Sequence, residues 1–435
     1  MRETDVLVIG GGPAGSTAAA LLAGRGHRVT VIEKARHPRF HIGESLLPAN
    51  LPLLEQLGVA QEVRAIGMQK WGAEFVSSWD GRQQDFRFSD AWDKSMPYAY
   101  QVRRSEFDQI LIRHAERAGA QIVEGARVSA VDLGRDAAPS QIQVSNEDGT
   151  VDNWQARFVV DASGRDTFLA NRLHCKRRNR RHNSAAIFGH FSGAERNPGD
   201  REGHITIYWF DHGWFWFIPL SDGATSVGAV VWPYYLKSRT RPIDEFFRDT
   251  IALCPPLAER LSSAELISEV EATGNYSYRC TRSYGRNYLL LGDAFAFIDP
   301  VFSSGVMLAM KSAFAGAEAI EACLRQPERA RAALREFDRI SRHGPKHFSW
   351  FIYRVTSPTM REMFMRPRNT WRMKEALLSL LAGDIFGSTP IWRSLRAFKL
   401  VYGLISVMHP RRSAHARRLR RLNIRPAESG PMPAS

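Results

Sequence analysis

Asp5-Val6-Leu7-Val8-Ile9-Gly10-Gly11-Gly12-Pro13-Ala14-Gly15-Ser16 passes from an apolar, β-branched run through a glycine turn into the alanine- and leucine-rich stretch Thr17 to Leu22. This order predicts a strand, a tight turn and a helix in one βα unit. Gly10 permits the turn, Gly12 lets the backbone approach a pyrophosphate, and Gly15 allows close packing of helix on strand. Pro13 and Ala14 then open a helix whose N–H groups face a bound phosphate. A second strand, Arg28 to Ile32, ends at Glu33, where an acidic side chain accepts bonds from a ribose. Together these features predict a dinucleotide-binding, Rossmann-type lobe.

The 435 residues are 44% hydrophobic, enough to bury a large core spread over two or three lobes. Cys175, Cys254, Cys280 and Cys323 lie far apart, without C-x-x-C or Cys/His spacing. That speaks for a reducing compartment, predicts no metal site, and leaves the cysteines as unpaired thiols. The chain opens on a strand rather than a charged and then apolar leader, and it has no run of about 18 apolar residues. Neither a signal peptide nor a membrane span is expected, and the predicted setting is cytoplasmic. The net charge of +14 is concentrated in part in Arg411, Arg412, Arg417, Arg418, Arg420, Arg421 and Arg425, and again in Lys176 to Arg181. No nucleic-acid-binding motif accompanies this charge, so nucleic acid is not expected as a partner. The basic runs read either as solvated faces or as docking surfaces for an acidic carrier protein or an anionic membrane, the latter placing the protein peripherally at the inner membrane surface.

Gly213-Trp214-Phe215-Trp216-Phe217-Ile218-Pro219 reads as an extended run with both tryptophans on one face. Such a pair is either part of a sheet core or an aromatic wall beside a cofactor. Around it, residues 66–103 and 183–285 alternate apolar and polar residues with many aromatics, as in His204-Ile205-Thr206-Ile207-Tyr208-Trp209. These predict strands of a second, mostly antiparallel sheet interleaved with the nucleotide lobe. From about residue 340 the pattern becomes helical, including Met360 to Met365, Met373 to Leu381 and a basic amphipathic segment Trp392 to Met408 that Pro410 stops. The predicted fold is therefore α/β: a Rossmann-type lobe and a mostly antiparallel β-sheet lobe within 1–340, a helical region 341–410, and a basic tail 411–435 expected to lack order.

Several segments resemble the flavin-dependent halogenases, within the wider FAD-dependent monooxygenase-like superfamily. Pro38-Arg39-Phe40-His41-Ile42-Gly43-Glu44-Ser45-Leu46-Leu47-Pro48 is similar to their P-R-x-x-x-G-E-S-L-L-P stretch, and Trp214, Trp216, Ile218 and Pro219 match their W-x-W-x-I-P motif. Phe297-Ile298-Asp299-Pro300-Val301-Phe302-Ser303-Ser304-Gly305 matches F-x-x-P-x-x-S-x-G. Tyr288-Leu289-Leu290-Leu291-Gly292-Asp293-Ala294 resembles the strand where relatives bind the ribityl chain of FAD, which makes Asp293 the candidate for that contact. The resemblance covers roughly residues 1 to 340. It implies FAD as cofactor, with Arg39, Ser45, Arg104, Asp161, Pro300 and Gly305 among its contacts.

The same resemblance implies a reaction. Reduced FAD, delivered by a separate flavin reductase, reacts with O2 to a C4a-hydroperoxide, and chloride or bromide attacks it to give hypohalous acid. Lys70, in Gln69-Lys70-Trp71-Gly72, aligns with the catalytic lysine that passes halogen to an aromatic ring, although an isolated lysine before a strand is by itself a common surface residue. Trp214, Trp216, Ile218 and Pro219 would keep flavin and substrate apart. Ser303, Ser304 and Gly305, at a turn entering a helix, are halide candidates or simple helix caps. Phe302 stands where tryptophan halogenases carry a glutamate, which favours phenolic or pyrrole-like substrates, free or held on a carrier protein as aryl-polyene precursors are. His41, Glu44 and Glu74 are the nearby groups for a substrate base, and none is singled out. Rival readings are an FAD monooxygenase or prenyl-type reductase, or a flavoprotein that binds without turnover. The resemblance places the protein in bacterial antibiotic or pigment biosynthesis.

Overall fold

The computed structural model describes residues 1–134, 138–179, 182–274, 277–387 and 389–410, together with Ala414 and Arg418. The Arg411 to Arg425 cluster, apart from Arg418, and the stretch 426–435 lie outside the described residues, as do the last two residues of the basic run Lys176 to Arg181. The chain forms two compact units, residues 1–67, 102–178 and 278–348 in one, and 68–101, 179–277 and 349–435 in the other.

The first unit is built on a seven-stranded sheet. Gln121–Glu124, Val29–Glu33, Arg2–Ile9 and Val151–Asp161 lie side by side in parallel. The long strand Val151–Asp161 serves two neighbours on its other edge. Its first half pairs antiparallel with Ser140–Asn146, which pairs in turn with Ala126–Asp132, and its second half runs parallel to Tyr288–Leu290. Val6, Leu7, Val8, Val159 and Val160 are completely buried, which accounts for the continuous apolar runs: Leu7 and Val159 pack in a cluster with Val128, Ile142, Val144 and Cys280 of neighbouring strands. The helix Pro13–Ala23 follows the first strand directly, packs on Gly305–Arg325, and shows no side-chain cap and no acid in its first turn. Lys176–Arg178, Tyr278–Cys280 and Ala296–Phe297 form a small antiparallel sheet in the same unit.

The second unit holds an eight-stranded sheet ordered Glu265–Leu266, Ala185–Ser192, Thr225–Val231, Gly213–Pro219, Ile205–Phe210, Gly72–Ser77 and Gln83–Arg87, with Glu271–Gly274 also on the second of these. All pairs are antiparallel except Ile205–Phe210 with Gly72–Ser77. Strand alternation sends Phe215, Phe217, Tyr208 and Val227 to one face, where they pack against Phe246, Phe247, Ile251 and Leu257 of the segment 243–260. Trp214 and Trp216 therefore occupy the opposite face. A separate two-stranded sheet joins Met68–Lys70 to Ala99–Gln101. The C-terminal helices are Pro358–Met365, Met373–Ala382 and Ile391–Met408, each within two residues of the sequence expectation.

Candidate active site

Close approach explains the glycines of the nucleotide cradle. A β-carbon on Gly15 would stand 1.9 Å from the Gly10 carbonyl oxygen, so only hydrogen fits where helix meets strand. Gly12 is different. A β-carbon there meets nothing nearer than the Arg39 guanidinium at 3.6 Å, and the backbone has an ordinary extended φ of −76°. A β-carbon therefore has room at Gly12, and the open space above it suits a pyrophosphate at the helix N-terminus.

Glu33 closes the second strand as expected, and its carboxylate accepts from the Gly11 N–H at 2.7 Å and the Ala35 N–H at 2.9 Å. It thus shapes the glycine turn. Arg39 lies 3.8 Å from Glu33 and donates to Asp108 at 3.1 Å. Arg104 grips Asp108 through two bonds of 2.9 Å and donates to the Ile42 carbonyl at 3.0 Å. Burial pushes the Asp108 carboxyl up, but Arg104 and Arg39 outweigh it and hold it below the usual carboxylate range. Asp108 was missed as a site residue. Its signal in the sequence is the i,i+4 spacing from Arg104 on a helix, which places both on one face.

Asp161 is fully buried, and its oxygens accept from the Ser163 N–H at 3.0 Å and the Leu169 N–H at 2.7 Å. Those bonds give it a support role for the loop after the strand rather than a free face toward a ligand. Asp293, at the turn after Tyr288–Leu290, is partly open to solvent, yet burial pushes its carboxyl up to about 6 against the pull of Arg165 and Arg104. Ser45 is buried. Pro300–Phe302 makes one 3-10 turn, Ser303 takes a left-handed φ of 55°, and Ser304 starts the helix Gly305–Arg325. The Ser304 hydroxyl caps nothing: it is buried and has no partner among the described residues. An orphaned donor beside free helix N–H groups fits the polar edge of a flavin or a small anion.

In the second unit, Lys70 ends the strand Met68–Lys70 and is 1% exposed. Burial pushes its ammonium down to about 7, and its Nζ lies 5.3 Å from the Phe88 ring centre. The strand is held in place by Gln101, fully buried on the partner strand, whose side chain donates to the Gly203 carbonyl at 3.0 Å. Trp214 and Trp216 are buried side by side, ring centres 6.1 Å apart, and the Trp216 indole donates to Ser226 at 3.1 Å. Trp216 lies over Gly228, its register partner, where a β-carbon would stand 2.2 Å from the ring. The lone glycine within Thr225–Val231 was the available sign of that approach. Ile218 and Pro219 complete the same buried strand.

Glu74 is occupied elsewhere, accepting from Thr206 at 3.0 Å and Asn197 at 3.2 Å. His41 is exposed and bonds its own neighbour, the Ile42 carbonyl. The four cysteines are free thiols, and among the described residues no cluster of His, Cys, Asp or Glu could hold a metal ion. No described helix is long and apolar enough to cross a membrane.

The FAD-binding domain family matches residues 3–341. A 1H-pyrrole-2-carbonyl-[peptidyl-carrier protein] chlorinase of Pseudomonas fluorescens is 30% identical over 410 residues, covering 88% of this chain and 90% of that protein. The chain belongs to the flavin-dependent halogenases. Its cofactor is FAD, and halide is the co-substrate of that family. The tryptophan 2-halogenase of Chondromyces crocatus is 35% identical over 337 residues, 74% of this chain, and the chain spans 62% of that relative's length. The structure of the myxobacterial chondrochloren halogenase CndH matches with a TM-score of 0.78 at 35% identity, covering 91% of this chain and 93% of that one. A flavoprotein/dehydrogenase from Cytophaga hutchinsonii matches with a TM-score of 0.84 at 30% identity, covering 94% and 100%.

Proposed function

We propose that this protein installs chlorine or bromine on an electron-rich aromatic ring, phenolic or pyrrole-like, presented free or as an acyl group on a carrier protein. The observation that carries this reading is Lys70: a lysine sealed from water, with its pKa lowered to about 7 by burial, in a member of this family. Bound reduced FAD supplies, with O2, the oxidising equivalent that converts halide to hypohalous acid. Near neutral pH a large fraction of Lys70 is free amine, which attacks the halogen of hypohalous acid to form an N–X bond and release water. The ring then takes the halogen and returns a proton, regenerating the amine. The ammonium form instead donates a hydrogen bond to the oxidant's oxygen; both forms fix one direction of delivery.

The remaining candidates serve cofactor and separation. Gly10, Gly12, Pro13, Ala14, Gly15 and Glu33 hold the nucleotide half, Arg39, Ser45, Arg104 and Asp293 its middle, and Pro300, Ser303, Ser304 and Gly305 the halide end. Trp214, Trp216, Ile218 and Pro219 keep the ring from being hydroxylated directly. The sequence carries no second glycine fingerprint for a nicotinamide, which supports supply of reduced flavin by a separate reductase. Phe302 in place of a glutamate supports phenols and pyrroles over tryptophan, in contrast to the tryptophan 2-halogenase of Chondromyces crocatus.

The test is mass spectrometry of phenols, pyrroles and tryptophan, free and carrier-loaded, incubated with enzyme, FAD, a flavin reductase, NADH and halide, beside Lys70→Ala. A halogen isotope pattern on a phenol or pyrrole that disappears in the variant is expected. Halogenated tryptophan alone would overturn the substrate class. A gain of oxygen that persists in the variant would make the protein a monooxygenase.

A further inference from the structure

The helix Ile391–Met408 is apolar on two opposite sides. One side buries Ile391, Leu395 and Phe398 and packs on Met373–Ala382 and Pro358–Met365. The other presents Leu400, Leu404, Val407 and Met408, which are 62, 57, 75 and 73% exposed. Their i, i+4, i+7, i+8 spacing puts them on one stripe about 12 Å long. A helix needs a second apolar stripe only if something covers it, and isolated exposed leucines do not line up this way.

Charge decides among the coverings. Arg393 and Arg396 are exposed one to two turns before Leu400 on the same side, at i−7 and i−4 from it. In the sequence beyond the stripe follow Arg411, Arg412, Arg417, Arg418, Arg420, Arg421 and Arg425, against a single acid, Glu428. Along the sequence, cations thus precede and follow the apolar stripe. A second copy of this chain would set arginine against arginine across the stripe. An anionic lipid surface satisfies both parts, since the stripe enters the acyl boundary while the arginines meet headgroup phosphates. We propose that Ile391–Met408 is a docking helix for an anionic membrane, with Leu400, Leu404, Val407 and Met408 as the inserting residues.

This inference is independent of the halogenation reading. The test is cosedimentation of the full-length protein with phosphatidylcholine vesicles, with and without phosphatidylglycerol. Pelleting is expected with the anionic vesicles and not with the neutral ones. Leu404→Asp with Val407→Asp should lower the pelleted fraction about fivefold or more while leaving the arginines in place, and Arg393→Glu with Arg396→Glu should do likewise. Circular dichroism and FAD absorbance confirm that the variants remain folded. Equal pelleting of the Leu404→Asp, Val407→Asp protein would overturn the proposal, because charge alone would then suffice. So would failure of the native protein to pellet, whether light scattering shows a dimer lost in that variant or the protein binds an acidic carrier protein instead.

Discussion

Lys70 shows how one buried group links chemistry to stability. Unfolded, a lysine holds its proton to its ordinary value of 10.5, whereas folded Lys70 releases it at about 7. Between those values the unfolded chain binds more protons, so this residue makes stability rise with pH across that window, and its full penalty is present below about 7. Lys70→Met should therefore stabilise the protein at pH 6.5–7 by about 1–3 kcal/mol and flatten the rise of Tm with pH above it, as replacement of a strained functional group often does. Calorimetry of native and variant protein over pH 6.5–9.5 checks this; a less stable variant would show that the contacts Lys70 makes outweigh the cost of burying it. The same pKa predicts that halogen transfer through the free amine accelerates from pH 6 to 8 and then levels. The lysine's identity as a candidate came from its flanking residues, but its burial depends on strands distant in sequence.

At the scale of elements, the tryptophan strand is legible from alternation alone. Phe215 and Phe217 face the core shared with the helices, and Trp214 and Trp216 fall on the other side because side chains alternate. What fixes Trp216 is a neighbour strand. Phe75, Ile207, Trp216, Gly228 and Phe188 form one row across five strands, and the gap at Gly228 receives the indole. Gly228→Val should displace Trp216 and destabilise the protein by about 1–3 kcal/mol as an overpacked site. Its further expected effect is a lower yield of halogenated product per reduced flavin consumed, with more hypohalous acid caught by an added trap. Unchanged yield with the same loss of stability would leave Trp216 a packing residue only.

For the whole molecule, FAD should behave as a ligand of the folded state. At a hundredfold excess over its Kd it should add about 2.7 kcal/mol of stability. Gly12→Val is the informative variant, because a β-carbon at Gly12 touches no protein atom closer than 3.6 Å. Its Tm without FAD should match the native protein, and the rise on adding FAD should be lost; a preserved rise would move the pyrophosphate away from this turn. The sequence by itself determined the βα start, the parallel sheet that follows from its continuous apolar runs, the aromatic antiparallel sheet and the C-terminal helices, since each rests on local periodicity. It also placed Gly12, Lys70 and the Trp pair as candidates by motif. Only the tertiary structure decided that Asp161 is consumed by its own loop, that Asp108 joins Arg39 to Arg104, that Ser304 has no partner among the described residues, and that the helix Ile391–Met408 keeps an apolar stripe outside. Those facts depend on which distant segments share a space, and burial and hydrogen-bond partners are set by that packing rather than by neighbours along the chain.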